Sequence, residues 1–135
     1  AGVTHLRVRL LAAEASLADA LSGRPGSLAA ARSGVAAYHA AAARQGTPVV
    51  VTIVLPVCAH NLDAIPATVG RLSAWGVDAV RLSGAGALPG RAAGVVAAAC
   101  DTGMVNRLWV ECAVDLPLPA SHILHRVEES VCDVG

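Results

Sequence analysis

The chain has 135 residues, enough for one domain or part of one. Hydrophobic residues make up 55% of it and aromatic residues only 2%, so a core must be built from Ala, Val and Leu side chains. The formal net charge is +0, which argues against a nucleic-acid-binding protein, because such proteins carry a basic surface. No apolar run approaches the roughly 18 residues of a membrane span, and no signal-peptide pattern is present. We therefore expect a cytoplasmic protein without nucleic-acid or membrane partners.

The first predicted strand covers residues 5–11, where apolar and polar residues alternate. This alternation is typical of a strand with one buried and one polar face. We expect a loop over residues 12–26 and then a helix over residues 27–45. Ser27 would be the N-cap of this helix, and Gly46 would end it in the left-handed conformation that glycine favours.

The second predicted strand, residues 48–55, consists mostly of β-branched residues, as buried parallel strands do. The helix that follows begins near Asn61 or Asp63. We favour Asp63 as its N-cap, because Pro66 then lies in the first turn, where the missing N–H costs little. Gly76 is expected to end this helix.

The same signals predict the remaining elements. They are a strand over 77–83, a loop over 84–90, a short helix over 91–100, a strand over 107–114, a non-regular segment over 115–120 and a helix over 122–130 capped by Ser121. Alternation of strands and helices predicts an α/β fold with a parallel sheet and right-handed crossovers. Roughly forty residues per unit is the period of a (β/α) barrel, so about four strands with covering helices would form a half-barrel. We assign this half-barrel to residues 1–120, and a C-terminal helix and following segment to residues 121–135.

Short motifs recur in a characteristic order: Asp19, Gly-Arg-Pro-Gly-Ser at 23–27, Asn-Leu-Asp at 61–63 and Gly-Val-Asp at 76–78. With them, most of the chain resembles the C-terminal half of the core barrel of radical S-adenosylmethionine enzymes, of the peptide-maturase type. The resemblance implies a partial TIM barrel. It also implies reductive cleavage of S-adenosylmethionine at a [4Fe–4S] cluster, giving a radical that abstracts hydrogen from a substrate such as a peptide.

The resemblance also implies site residues. Arg9 would contact the carboxylate or ribose of S-adenosylmethionine, Thr52 and Asn61 would touch the same cofactor, and Ser83 would lie at its adenine pocket. Cys132 would be the first ligand of an auxiliary iron–sulfur cluster. From the residues alone, simpler roles stay open: a solvated edge-strand face for Arg9, an ordinary strand position for Thr52 and a helix or turn cap for Asn61.

The chain departs from the family in one important respect, because it lacks the C-x-x-x-C-x-x-C loop that holds the main cluster. Its four cysteines, Cys58, Cys100, Cys112 and Cys132, are too far apart in sequence for a local metal site. We therefore expect a fragment or truncated relative that is inactive alone and either lacks an N-terminal half or forms a homo-oligomer. The alternative is a small non-catalytic α/β binding or interaction module that oligomerises through open sheet edges.

Overall fold

The computed structural model of the chain describes residues 5–84, 87–114, 116–118, 120–125 and 127. They contain one four-stranded sheet in which every neighbouring pair is parallel and the strands follow chain order. The strands are β1 (His5–Arg9), β2 (Val50–Val57), β3 (Ala79–Gly84) and β4 (Trp109–Cys112). The predicted α/β class and the parallel pairing of four strands are confirmed.

Four α-helices connect these strands: α1 (Ala15–Ser22) and α2 (Ser27–Gln45) between β1 and β2, α3 (Ile65–Leu72) between β2 and β3, and α4 (Ala92–Val105) between β3 and β4. Short 3₁₀ helices lie on either side of α3, at Leu62–Ala64 and Ser73–Trp75, and another follows β4 at Ala120–His125. Gly46 and Gly76 have φ values of 64° and 71°, so both glycines end their helical segments as predicted.

One face of the sheet carries the hydrophobic core. Alternate strand residues on that face are almost fully buried: Val51, Ile53, Leu55, Val80, Leu82 and Val110. They form one cluster with residues of α2, α3 and α4, including Val35, Val69 and Val96. The helices therefore pack on one face, as expected when parallel strands in chain order are joined by crossovers of one hand. We call the opposite face of the sheet the open face.

Helix α1 lies where the sequence predicted a loop, so that prediction was wrong. Its eight residues contain no Gly or Pro, and Ala18 is buried. The predicted N-cap of α2 was wrong by one residue, because Gly26 occupies that position with a φ of 76°. The carboxylate Oδ1 of Asp19 accepts the N–H of Gly26 at 3.0 Å and so fixes the turn between the two helices.

The start of α3 also differs from the prediction. Asp63 is not its N-cap but lies in the preceding 3₁₀ helix, and α3 begins at Ile65. Pro66 does lie in the first turn, as predicted. The difference arises because the chain after Asn61 first makes a tighter 3₁₀ turn, a common way for an α-helix to begin.

Helix α4 continues past the predicted end at Cys100 to Val105. Gly103 lies in this extension, and its lack of a side chain permits close packing against β4. A Cβ at Gly103 would lie 2.5 Å from the carbonyl oxygen of Leu108 and 2.6 Å from Val110 Cγ2. The last predicted helix, 122–130, is a 3₁₀ helix as far as His125, and residues 126 and 128–130 lie outside the described part. The boundary at residue 120 stays a prediction.

Candidate functional site

The open face of the sheet brings charged residues into one row. Arg9 pairs in register with Val54, Val54 with Arg81, and Arg81 with Glu111. Because neighbouring strands lie about 4.8 Å apart, this row places the Cα atoms of two arginines and a glutamate along one line of the sheet. Arg9 is exposed, whereas Arg81 and Glu111 are half-buried. The row can therefore bind an anion near β1 and a polar or cationic group near β4.

Two of the predicted site residues, Arg9 and Ser83, lie on the open face towards the carboxyl ends of their strands. Ser83 pairs with Pro56, two residues beyond the row that contains Arg9. Two strand spacings and two residue rises separate their Cα atoms by about 12 Å. The pair can contact opposite ends of an extended small molecule. Carboxyl ends of parallel strands are where α/β proteins commonly bind ligands.

Thr52 lies on the same face but closer to the amino end of β2. It is 6% exposed, and its Oγ1 lies 3.2 Å from Nε2 of His5. Its partners in register are Arg7 and Ala79, one row removed from Arg9. The structure therefore brings Thr52 together with His5 rather than with Ser83.

Asn61 is 1% exposed, and its side chain joins three segments of backbone. Its Oδ1 accepts the N–H of Cys58 at 2.8 Å, and its Nδ2 donates to the carbonyl oxygens of Leu11 and Pro56 at 3.0 and 2.7 Å. Both amide hydrogens are thus used, since an amide NH₂ has two. Asn61 makes no side-chain capping bond to the 3₁₀ helix that follows it. It holds the loop after β1 against the end of β2, and a direct contact to a ligand would use the remaining lone pair of Oδ1.

The cysteines within the described part do not form a cluster site. Cys100 and Cys112 have their Sγ atoms 3.5 Å apart, but both are buried in the core between α4 and β4. Cys58 is half-buried on the loop after β2. Among the described residues, no group of three or more His, Cys, Asp or Glu side chains could hold a metal ion. The predicted ligand Cys132 lies outside those residues.

Sequence reasoning missed how the C-terminal segment covers the outer side of β4. Nδ1 of His125 donates to the carbonyl oxygen of Val110 at 2.8 Å, and the N–H of Val127 donates to that of Cys112 at 2.8 Å. The His125 ring also stacks on Trp109, with centroids 4.5 Å apart. No local sequence pattern indicates these contacts, because they join a loop segment to a strand. They use the backbone acceptors that would otherwise form an open edge.

Comparison of the chain with protein-family models, curated proteins and solved structures gave no match. Within the part of the chain that the structure describes, no helix has the length and apolar character needed to cross a membrane. The function is therefore inferred from the geometry of the open face together with the sequence motifs.

Proposed function

We propose that this chain is the C-terminal half of a radical S-adenosylmethionine-type core, a parallel (β/α) half-barrel that lines the cofactor and its substrate. The observation that supports it best is the sheet itself: four parallel strands in chain order, helices on one face and a polar row on the other. In a barrel of this strand order the open face would face the lumen, where the ligand binds at the carboxyl ends of the strands.

The motifs behind the resemblance act as structural units, which supports the proposal further. Asp19 and Gly26, from the Asp and Gly-Arg-Pro-Gly-Ser motifs, are joined by a hydrogen bond of 3.0 Å. Gly23 and Gly26 have φ values of 70° and 76°, a conformation that favours glycine. Asn61 connects the loop after β1 to β2 through partly buried hydrogen bonds. The motifs at 19–27 and 61–63 therefore shape turns at or beside the carboxyl end of the sheet, whereas Gly-Val-Asp at 76–78 lies directly before β3 at the amino end.

In this proposal Arg9 binds the carboxylate of S-adenosylmethionine, because a guanidinium group pairs with a carboxylate through two parallel hydrogen bonds. Arg9 also lines a cavity of about 180 Å³ with Ser22 and Ser27. That volume is below the roughly 300 Å³ typical of sites for drug-sized ligands, so it suits one end of the cofactor. Ser83, further along the sheet, faces the nucleoside end. Thr52 and Asn61 support the strands between them.

The described residues do not fit a [4Fe–4S] cluster, because they contain no set of three ligating side chains close together. The cluster would supply the electron that cleaves S-adenosylmethionine, and its ligands would belong to a partner or to a missing N-terminal half. The chain alone is therefore expected to bind and orient the cofactor without turnover. Its partners would be that half, or a second copy, and a peptide substrate.

The test is a titration of the full chain with S-adenosylmethionine, in which the NMR chemical shifts of the backbone amides are recorded at each ligand concentration. We expect saturable shifts around Arg9 and Ser83, and R9A should raise the dissociation constant about tenfold through loss of one charge-assisted pair. R44A is the matched control, since Arg44 is exposed in the last turn of α2 and the substitution removes the same charge. Absence of saturable shifts, or equal weakening by both substitutions, would contradict the proposal.

A second candidate is a non-catalytic binding or interaction module, favoured by apolar exposure on the open face. Val50 and Trp109 are 44% and 39% exposed there. The outer side of β4 is covered by the segment that ends at Val127, so self-association would use β1 or the open face. Light scattering after size-exclusion chromatography tests this second candidate. A dimer that forms as the concentration rises and is lost in W109S supports the module, whereas a monomer at all concentrations argues against it.

A further inference from the structure

A cavity of about 530 Å³ lies between the helices. We call it the helix cavity, and its lining includes Asp19, Leu28, Arg32, Arg71, Ala74 and Trp75. All its lining residues come from helices or the turns that adjoin them, and none from a strand. It is therefore separate from the open face of the sheet. Its volume falls in the range of about 300–1,000 Å³ that is usual for small-molecule sites.

Most of the cavity wall is apolar and fixed in place. Alanines from α1, α2 and the 3₁₀ helix after α3 line it, and their short side chains leave the space open. Leu28 and Trp75 line it as well, and both also pack against the main core. The half-buried indole of Trp75 borders the cavity, and the guanidinium group of Arg32 lies over its ring. An aromatic ring favours a planar aromatic partner, since a pair of aromatic rings gains binding free energy in addition to that from the surface area it buries.

Two arginines supply the polar part of the wall. The guanidinium carbon of Arg32 lies 6.0 Å from the centroid of the Trp75 ring. Nη1 of Arg71 donates to the carbonyl oxygen of Ala13 at 2.9 Å, which fixes that side chain. A guanidinium group has five N–H donors, so one such bond leaves most of them for another acceptor.

Asp19 is the one acidic residue of the lining, and its Oδ1 already accepts the N–H of Gly26. Two arginines against one aspartate make the wall of the helix cavity net positive. A ligand that fits this wall carries one negative charge and an apolar body. A neutral ligand would form no ion pair with the arginines. A ligand with two negative charges would exceed the net charge of the wall, which two arginines and one aspartate set at one positive charge.

We propose that the helix cavity binds a small aryl carboxylate, with the carboxylate paired to Arg32 and Arg71 and the aromatic ring against Trp75. This site is distinct from the one in the proposed function, because the two cavities share no lining residue, although α1 and α2 border both. Arg9, Thr52, Asn61 and Ser83 do not line it.

Tryptophan fluorescence provides the test, because the chain has two tryptophans and Trp109 lies in β4. In a W109F background the emission reports on Trp75 alone. We expect a saturable change on titration with phenylpropionate, and at least tenfold weaker binding of the neutral phenylpropionamide. Octanoate should bind more weakly than phenylpropionate because it lacks the ring. Equal affinity of the acid and the amide, tighter binding of octanoate, or no saturable change would each overturn the proposal.

Charge-matched variants then locate the site. R32A and R71A should each weaken phenylpropionate binding about tenfold, whereas R44A on the same helix as Arg32 should leave it unchanged. R71A also removes the bond to Ala13, so R71K, which keeps the charge, should recover part of the affinity while thermal melting reports folding. If R32A and R44A behave alike, the proposal is wrong.

If W109F does not fold, the indole N–H resonance of Trp75 in the unmodified chain, assigned with W75F, gives the same readout. R9A should not change phenylpropionate binding. This separates the outcome for the helix cavity from the outcome for S-adenosylmethionine.

Discussion

The Sγ atoms of Cys100 on α4 and Cys112 on β4 lie 3.5 Å apart in the core. The hydrogen bond between the two thiols, together with burial, raises the pKa of Cys100 well above its ordinary value. A thiol reacts as its thiolate, so both contact and burial make this pair unreactive in the folded protein. The contact also joins α4 to the end of β4.

The first prediction concerns the reactivity of this pair. In a C58A and C132S background, Cys100 and Cys112 should resist iodoacetamide until the protein unfolds, because both are buried and the pKa of Cys100 is raised. Mass spectrometry after timed labelling in buffer and in denaturant measures this. Labelling of either cysteine in buffer at the rate seen in denaturant would contradict the packing of α4 on β4.

The second prediction is a fall in stability at alkaline pH. The ordinary pKa of the Cys100 thiol is 9.0, and the folded protein holds it higher. Above that pH the unfolded chain releases a proton that the folded chain keeps, so the free energy of unfolding decreases as pH rises. The slope approaches about 1.4 kcal/mol per pH unit for one group, and below the ordinary pKa this contribution is constant. Urea unfolding of the native chain and of C100A at several pH values measures it, and C100A should show the shallower alkaline slope.

The third prediction compares two glycines of α4. G103A should lower the free energy of unfolding by about 1–3 kcal/mol, because the new Cβ would meet backbone of Leu108 at 2.5 Å. G94A is the matched control on the same helix, where a Cβ would have nothing within 4 Å. It should stabilise the protein by about 0.5–1 kcal/mol through helix propensity. Urea unfolding of both variants measures the two changes in the free energy of unfolding. Equal changes would show that α4 does not approach β4 this closely.

The fourth prediction concerns Asn61. N61A removes three hydrogen bonds and leaves a partly buried N–H and two carbonyl groups without that partner, which should cost about 3 kcal/mol. N106A is the control, since Asn106 is exposed and its side-chain Nδ2 donates to the carbonyl oxygen of Thr102. It should cost less than about 1 kcal/mol. Thermal melting measures both variants. An equal loss of stability in N61A and N106A would show that the Asn61 side chain does not hold the loop after β1 against β2.

Sequence patterns predicted the parts of the fold that depend on neighbouring residues. The alternation along residues 5–11 and the helix ends at Gly46 and Gly76 follow from strand periodicity and from the φ preference of glycine. Helix α1 was missed because its eight residues give too short an apolar pattern, and burial of Ala18 in the folded protein stabilises it. The extension of α4 beyond Cys100 accompanies the close packing of Gly103 against Leu108 and Val110, which no local pattern indicates.

The candidate site was predicted only in part. The positions of Arg9 and Ser83 on one face follow from strand alternation, which is local. The hydrogen bond from Asn61 to Leu11 joins residues 50 positions apart, so no local pattern could indicate it. The helix cavity likewise depends on how α1, α2 and α3 pack, because Arg32 and Arg71 lie on different helices.

By itself, the sequence determined an α/β chain with parallel strands, because hydrophobic periodicity and turn residues act over a few positions. Only the tertiary structure decided which side chains meet: Cys100 with Cys112, Asn61 with Leu11, and Arg71 with Ala13. Those contacts arise from the packing of helices on one face of the sheet. Packing depends on the shapes of surfaces far apart in the chain, and a linear pattern does not record them.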